Sequence, residues 1–114
     1  MRYSPESGAV SKAKEYELRF LPLFEEDLNE IVDYIKNVLQ NEIAAFSFVD
    51  AVEKAIRQRL PFAESFEKFQ STHDRKYPYY QLPVKNYTIF YVVIGNTMEV
   101  RRILYGRSNW KERL

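Results

Sequence analysis

Apolar residues recur along this chain with two different periods. Tyr16, Leu18 and Phe20 alternate with Glu17 and Arg19, the period-2 pattern of a half-buried strand, and Pro22 closes it. From Leu28 the period lengthens: Leu28, Ile31, Val32, Ile35, Val38 and Leu39 make one stripe of an amphipathic helix. Glu25, Glu26 and Asp27 stand in its first turn, where carboxylates complement the positive end of the helix dipole. Asn41 interrupts the pattern and predicts the N-cap of a second helix. The stripe of that helix is Ala45, Phe48, Val49, Val52, Ile56 and Leu60, and Pro61 ends it. A connection as short as Gln40–Asn41 leaves the two helices as antiparallel-like neighbours.

Residues 61–77 form a polar and aromatic connection containing Phe62, Phe66 and Phe69, inside which a short helical turn is expected. Alternation then returns in three strands, Tyr79–Val84, Tyr87–Ile94 and Met98–Tyr105. The two-residue turns between them, Lys85–Asn86 and Gly95–Asn96, contain residues that tolerate positive φ and force antiparallel pairing. The order β-α-α-β-β-β predicts an α+β domain, a twisted and mostly antiparallel sheet with a two-helix hairpin packed on one face. Small polar residues make 1–14 a flexible lead, so the domain is expected over 15–114, with a short terminal helix capped by Ser108 or Asn109.

Composition narrows the chemistry. At 114 residues, 46% of them hydrophobic, the chain is one domain able to bury a core. With no cysteine, disulfides, thiol nucleophiles and thiolate metal sites are excluded. The single histidine, His73, leaves no ligand set for structural zinc, so neither metal nor cofactor is expected. No apolar run approaches the roughly 18 residues of a membrane span, and a soluble cytoplasmic protein is predicted.

Charge is unevenly spread. Residues 75–114 hold eight Lys/Arg against Glu99 and Glu112, whereas residues 1–74 hold nine against fourteen Asp/Glu. The basic end suits a polyanion or an acidic partner; alternatively it balances the acidic helices inside the molecule. Arg101 and Arg102 are adjacent on a strand and therefore expected on opposite faces, so at most one faces the helices and that one needs a partner. The other, with Lys85, Arg107 and the strand tyrosines, can form a basic surface with interleaved aromatics on the sheet face left open by the helices. Alternating Tyr and Phe serve core packing equally well. Trp110 is either a partner anchor or a cover for the sheet edge.

Three segments carry a family resemblance. They are Glu26-Asp27-Leu28-Asn29-Glu30-Ile31-Val32-Asp33-Tyr34-Ile35, Leu82-Pro83-Val84-Lys85-Asn86-Tyr87-Thr88-Ile89-Phe90-Tyr91, and Val100-Arg101-Arg102-Ile103-Leu104-Tyr105-Gly106-Arg107. In order and spacing they resemble the RelE/ParE superfamily of toxins from bacterial type II toxin–antitoxin modules, known also as plasmid stabilisation proteins, over about Glu15 to Trp110. The resemblance implies a growth inhibitor with a cognate acidic, partly disordered antitoxin. It implies one of two targets: DNA gyrase, inhibited by ParE-like members, or the ribosome with mRNA, which RelE-like endoribonucleases cut. Thr88 stands after Tyr87 where the nuclease-like pattern has an arginine, and Tyr105 stands where a histidine or basic residue is common. The missing arginine weakens the nuclease reading, and the Leu82-Pro83-Val84-Lys85-Asn86-Tyr87 phrase and the Ile103-Leu104-Tyr105-Gly106-Arg107 ending lean towards ParE-like gyrase inhibition. Under the nuclease alternative the catalytic set is Arg107, Arg102 and Tyr105, without metal. Lys85, Tyr87, Arg101 and Trp110 are the residues expected to bind target or RNA. A degenerate, non-toxic antitoxin-binding module is the third alternative.

Overall fold

The structure is a computed structural model that describes residues 15–70, 76–106 and 114. The lead 1–14, His73, Arg75, Arg107, Trp110 and the terminal helix expected from Ser108 lie outside the described residues. Strand β1 (Glu17–Phe20) is followed by helix α1 (Pro22–Asp33), a π-helical turn (Tyr34–Val38) and helix α2 (Glu42–Arg59). A single 3₁₀ turn (Leu60–Phe62) leads to a two-residue strand β2 (Lys68–Phe69), then β3 (Tyr79–Val84), β4 (Tyr87–Ile94) and β5 (Thr97–Tyr105). The five strands form one sheet in the order β1-β5-β4-β3-β2. Consecutive strands from β2 onward pair antiparallel, and β1 lies parallel to β5. The α+β class and the helix pair follow the sequence pattern; β2 is an addition to it.

Several local details differ from the expectation. Pro22 closes β1 and also opens α1, where its missing N–H removes no hydrogen bond. With the helix starting there, only Glu25 of the acidic trio lies in the first turn. Helix α1 does not continue through Leu39: from Tyr34 the backbone widens into the π turn, and Gln40 is left-handed at φ 52°. Asn41 caps α2 as expected, its side-chain oxygen accepting from the Ala44 N–H at 2.9 Å. In the β3–β4 turn the positive φ falls on Lys85 (56°) rather than on the more tolerant Asn86. Strand β1 is an exposed edge strand rather than a half-buried one.

The larger core lies between helices and sheet: Phe24, Phe48, Val52 and Ile56 meet Tyr80, Leu82, Ile89, Tyr91, Met98, Val100 and Ile103. The opposite face of the sheet is not open. Tyr79, Phe90, Val92, Leu104 and Leu114 form a second buried cluster there, flanked by Phe69, Tyr77 and Ile94. Strand β4 is therefore apolar on both faces, which explains the unbroken run Ile89–Phe90–Tyr91–Val92. Pro83 is accommodated in β3 because β2 pairs with Tyr79 and Tyr80, and no neighbour among the described residues requires an N–H from Pro83 on that side.

Between β4 and β5 the register shifts. Tyr91 opposes Val100 while Phe90 opposes Arg102, which leaves Arg101 as the extra residue of a β-bulge. The bulge reverses the phase of β5. Met98 and Val100 face the helices before it, and Ile103 faces them after it, with Leu104 on the far side. Tyr105 consequently lands beside its cross-strand partner Tyr87 on the helix side, their rings 5.4 Å apart and nearly perpendicular.

Candidate functional site

The two strand arginines are both engaged within the protein. Asp27, buried on α1, accepts from Arg102 Nε and Nη2, each at 2.8 Å, and from the Ile103 backbone N–H at 3.1 Å. Pairing of β1 with β5 ends at Val100, so Asp27 takes over as acceptor for the strand beyond it. The hydrogen bond to Asp27 raises the pKa of Arg102 against the opposing effect of desolvation. Asp27 thus has a role that its position in the sequence disguised: it is the tertiary partner of β5 rather than a helix-dipole residue.

Arg101 Nε donates to Glu99 at 2.9 Å and its Nη1 to the Tyr79 hydroxyl at 3.1 Å. Glu99 is buried and also accepts from Arg19 at 2.7 Å. Neither arginine is left for an open basic surface, because two carboxylates claim both. Internal charge balance accounts for this part of the basic segment.

The remaining candidates among the described residues converge elsewhere. Lys85, Tyr87 and Tyr105 line one groove of about 640 Å³ with Tyr34, Ile35, Leu39, Ala44, Ser47, Phe48 and Asn86. The groove lies where the ends of β3, β4 and β5 meet the junction of α1 and α2. The Gly106 N–H donates to the Asn86 carbonyl at 2.8 Å, which ties the end of β5 to the β3–β4 turn. A smaller hollow of about 250 Å³ adjoins it on the α1 side, shares the three tyrosines, and adds Asp27 and Glu30. Phe48 holds Tyr87 edge-to-face at 5.1 Å, whereas Tyr34 and Tyr105 remain 50% and 64% exposed.

Tyr34 was not a sequence candidate. It lies off the apolar stripe of α1, and an aromatic on the polar side of an amphipathic helix was the available signal. The π turn that begins at Tyr34 and left-handed Lys85 contribute lining to this groove, and left-handed Gln40 directly follows its lining residue Leu39. Unusual backbone of this kind concentrates at functional positions.

Burial raises the pKa of Tyr87, with the neighbouring Tyr105 and Tyr34 adding to the effect. Its hydroxyl therefore stays protonated at neutral pH, as a hydrogen-bond donor and not as a base. Burial likewise raises Tyr80 and Tyr91, and Tyr16, whose hydroxyl donates to Glu64 at 2.8 Å, is pushed up to about 12. A tyrosine whose pKa is higher folded than unfolded contributes stability that is complete below about pH 10 and is lost above it. The protein is expected to lose stability between about pH 10 and pH 12, with the phenolate absorbance of these residues rising late. Thermal denaturation across that range checks this, and an unchanged melting temperature would contradict it.

Among the described residues no group of three or more His, Cys, Asp or Glu is placed to hold a metal ion. No helix among them is long and apolar enough to cross a membrane.

Comparison with known proteins places this architecture in a class of small toxins. Residues 18–110 match the family model described as ParE toxin of type II toxin-antitoxin system, parDE. The chain belongs to the ParE toxin family. Among solved structures it is similar to a chain of the chromosomal ParDE TA system from P. aeruginosa, at 16% identity and a TM-score of 0.65 over 81% of this chain and 97% of that one. It is also similar to a chain of the RelB-RelE antitoxin-toxin complex from Methanococcus jannaschii, at 20% identity and a TM-score of 0.45 over 82% and 96% of the two chains. No curated protein matches.

Proposed function

We propose that this toxin arrests growth by binding its target, as an inhibitor of DNA gyrase, and not by cutting RNA. The observation that carries this reading is the engagement of Arg101 and Arg102 by Glu99 and Asp27. Phosphodiester cleavage through 2′-hydroxyl attack draws on a guanidinium free to meet the growing negative charge of the transition state, and Arg102 is the arginine of the nuclease set among the described residues. A guanidinium already bridged to a buried carboxylate is poorly suited to that task. The protonated Tyr87 adds no base. Thr88, after Tyr87, points the same way.

The cognate antitoxin is the second proposed partner. Its ground is the apolar trough of about 410 Å³ between β1 and the two helices, where Leu18, Phe20, Leu28 and Val49 meet solvent beside β1, an edge strand of the sheet among the described residues. A segment that folds on binding gains area there to offset its ordering entropy.

Purified protein is expected to block supercoiling by gyrase and to leave message intact in a cell-free translation system. Message cuts that appear only when ribosomes are present would overturn this reading. They would restore the endoribonuclease alternative, with Lys85 and Tyr105 as the nearest phosphate-holding and proton-transferring pair.

A further inference from the structure

The tyrosine groove has the chemistry of a donor set without an acceptor. Among the described residues the hydroxyls of Tyr34, Tyr87 and Tyr105 and the ammonium of Lys85 hydrogen-bond to no protein group and form no ion pair. Below this rim the floor is apolar, made by buried Phe48 and half-buried Ile35 and Ala44, with exposed Leu39 beside them. One cation, flanking hydroxyls and an apolar floor define a complementary ligand: a carboxylate next to a large aliphatic or aromatic side chain.

A nucleic-acid strand fits less well. It brings a charge with every nucleotide, and Lys85 is the single cation lining the groove among the described residues. The helices beside it, Pro22–Arg59, carry eight acidic residues against four basic ones, and Glu30 lines the adjoining hollow. An extended polyanion would meet repulsion there, whereas one carboxylate over Lys85 would not. Tyr34 and Tyr105 supply wide, stiff contact surface at low entropic cost, the property that makes tyrosine frequent at protein contact sites.

We infer that this groove is the surface through which the toxin engages its protein target, and that it seats a peptide segment carrying a carboxylate beside a bulky apolar side chain. The inference rests on the proposed protein target. It adds the site, the residues and the chemistry of the segment recognised.

The test uses full-length toxin as wild type and as Lys85→Glu, Lys85→Arg and Tyr105→Ala, each titrated against the two purified gyrase subunits. Growth arrest on induction is scored in parallel. Lys85 and Tyr105 are exposed, so wild-type melting temperatures are expected throughout. Lys85→Glu and Tyr105→Ala should each weaken gyrase binding by at least about tenfold and abolish growth arrest, with Lys85→Arg retaining both. Wild-type affinity and toxicity in Lys85→Glu and Tyr105→Ala would overturn the assignment. If wild-type toxin fails to bind gyrase while the same two variants lose growth arrest, gyrase falls as the target but the groove stands as the target surface. A fluorescent oligouridylate that binds wild type and is released by Lys85→Glu would give the groove to nucleic acid and overturn the inference.

Discussion

Replacing Asp27 by alanine should cost the fold about 3 kcal/mol, the usual consequence of removing one member of a buried ion pair. Three donors lose their acceptor at once: Arg102 Nε, Arg102 Nη2 and the Ile103 N–H. The side chains of Arg102 and Asp27 are only 15% and 10% exposed, so water cannot fully replace the carboxylate. For a domain of this size the loss corresponds to a fall in melting temperature on the order of 15 °C. Asp27→Asn should cost roughly half as much, because the amide oxygen still accepts from Ile103 while the charge is gone. Melting curves of the two variants check this. Equal stability of Asp27→Ala and wild type would show that the carboxylate does not hold β5.

Arg59→Ala should be nearly as damaging, for a different reason. Arg59 is 9% exposed and pairs with no carboxylate among the described residues. Its guanidinium lies 3.5 Å from the centroid of the Phe66 ring and donates to the Tyr91 hydroxyl at 2.9 Å and the Gln81 carbonyl at 3.2 Å. Tyr91 in turn donates to the Ala63 carbonyl at 2.7 Å, so the cation fastens the segment after α2 to the centre of the sheet. Truncation removes a cation–π contact, two charge-assisted hydrogen bonds and the packing of the side-chain stem, together about 3 kcal/mol. Arg59→Met refills most of the volume and removes a charge that was costly to bury, so its cost should be about 1 kcal/mol. Urea unfolding of both variants separates packing from charge. A cost for methionine as large as that for alanine would mean that the guanidinium, not the volume, holds the segment.

The sequence was a good guide wherever structure is local and periodic. The Ala45–Leu60 stripe became α2, Asn41 became its cap, and the alternating runs from Tyr79 became three antiparallel strands. The three quoted segments pointed to the toxin superfamily, and the family match over residues 18–110 rests on the same stretch of chain. Lys85, Tyr87 and Tyr105, chosen as basic and aromatic strand residues, do meet in one groove. Both strand arginines, and not one alone, are held by carboxylates; the bulge at Arg101 breaks the strand alternation, and no glycine or other local signal marks it there. The sheet face away from the helices was expected to be free. Its cover includes Leu114 and Phe69, contacts that no short-range pattern encodes.

By itself, then, the sequence determined the family, the two helices, β1, the three long antiparallel strands and their order, because helix and strand periods, the Asn41 cap and the two-residue turns depend on neighbours a few positions apart. Tertiary structure decided which charges are spent and which are available. Asp27 meets Arg102 and Ile103 across 75 and 76 positions of chain, and Glu99 gathers Arg19 across 80. It also decided the face of Tyr105. One inserted residue in a period-2 ladder turns every later side chain to the other side, and that physical fact brings Tyr105 to Tyr87 and Lys85.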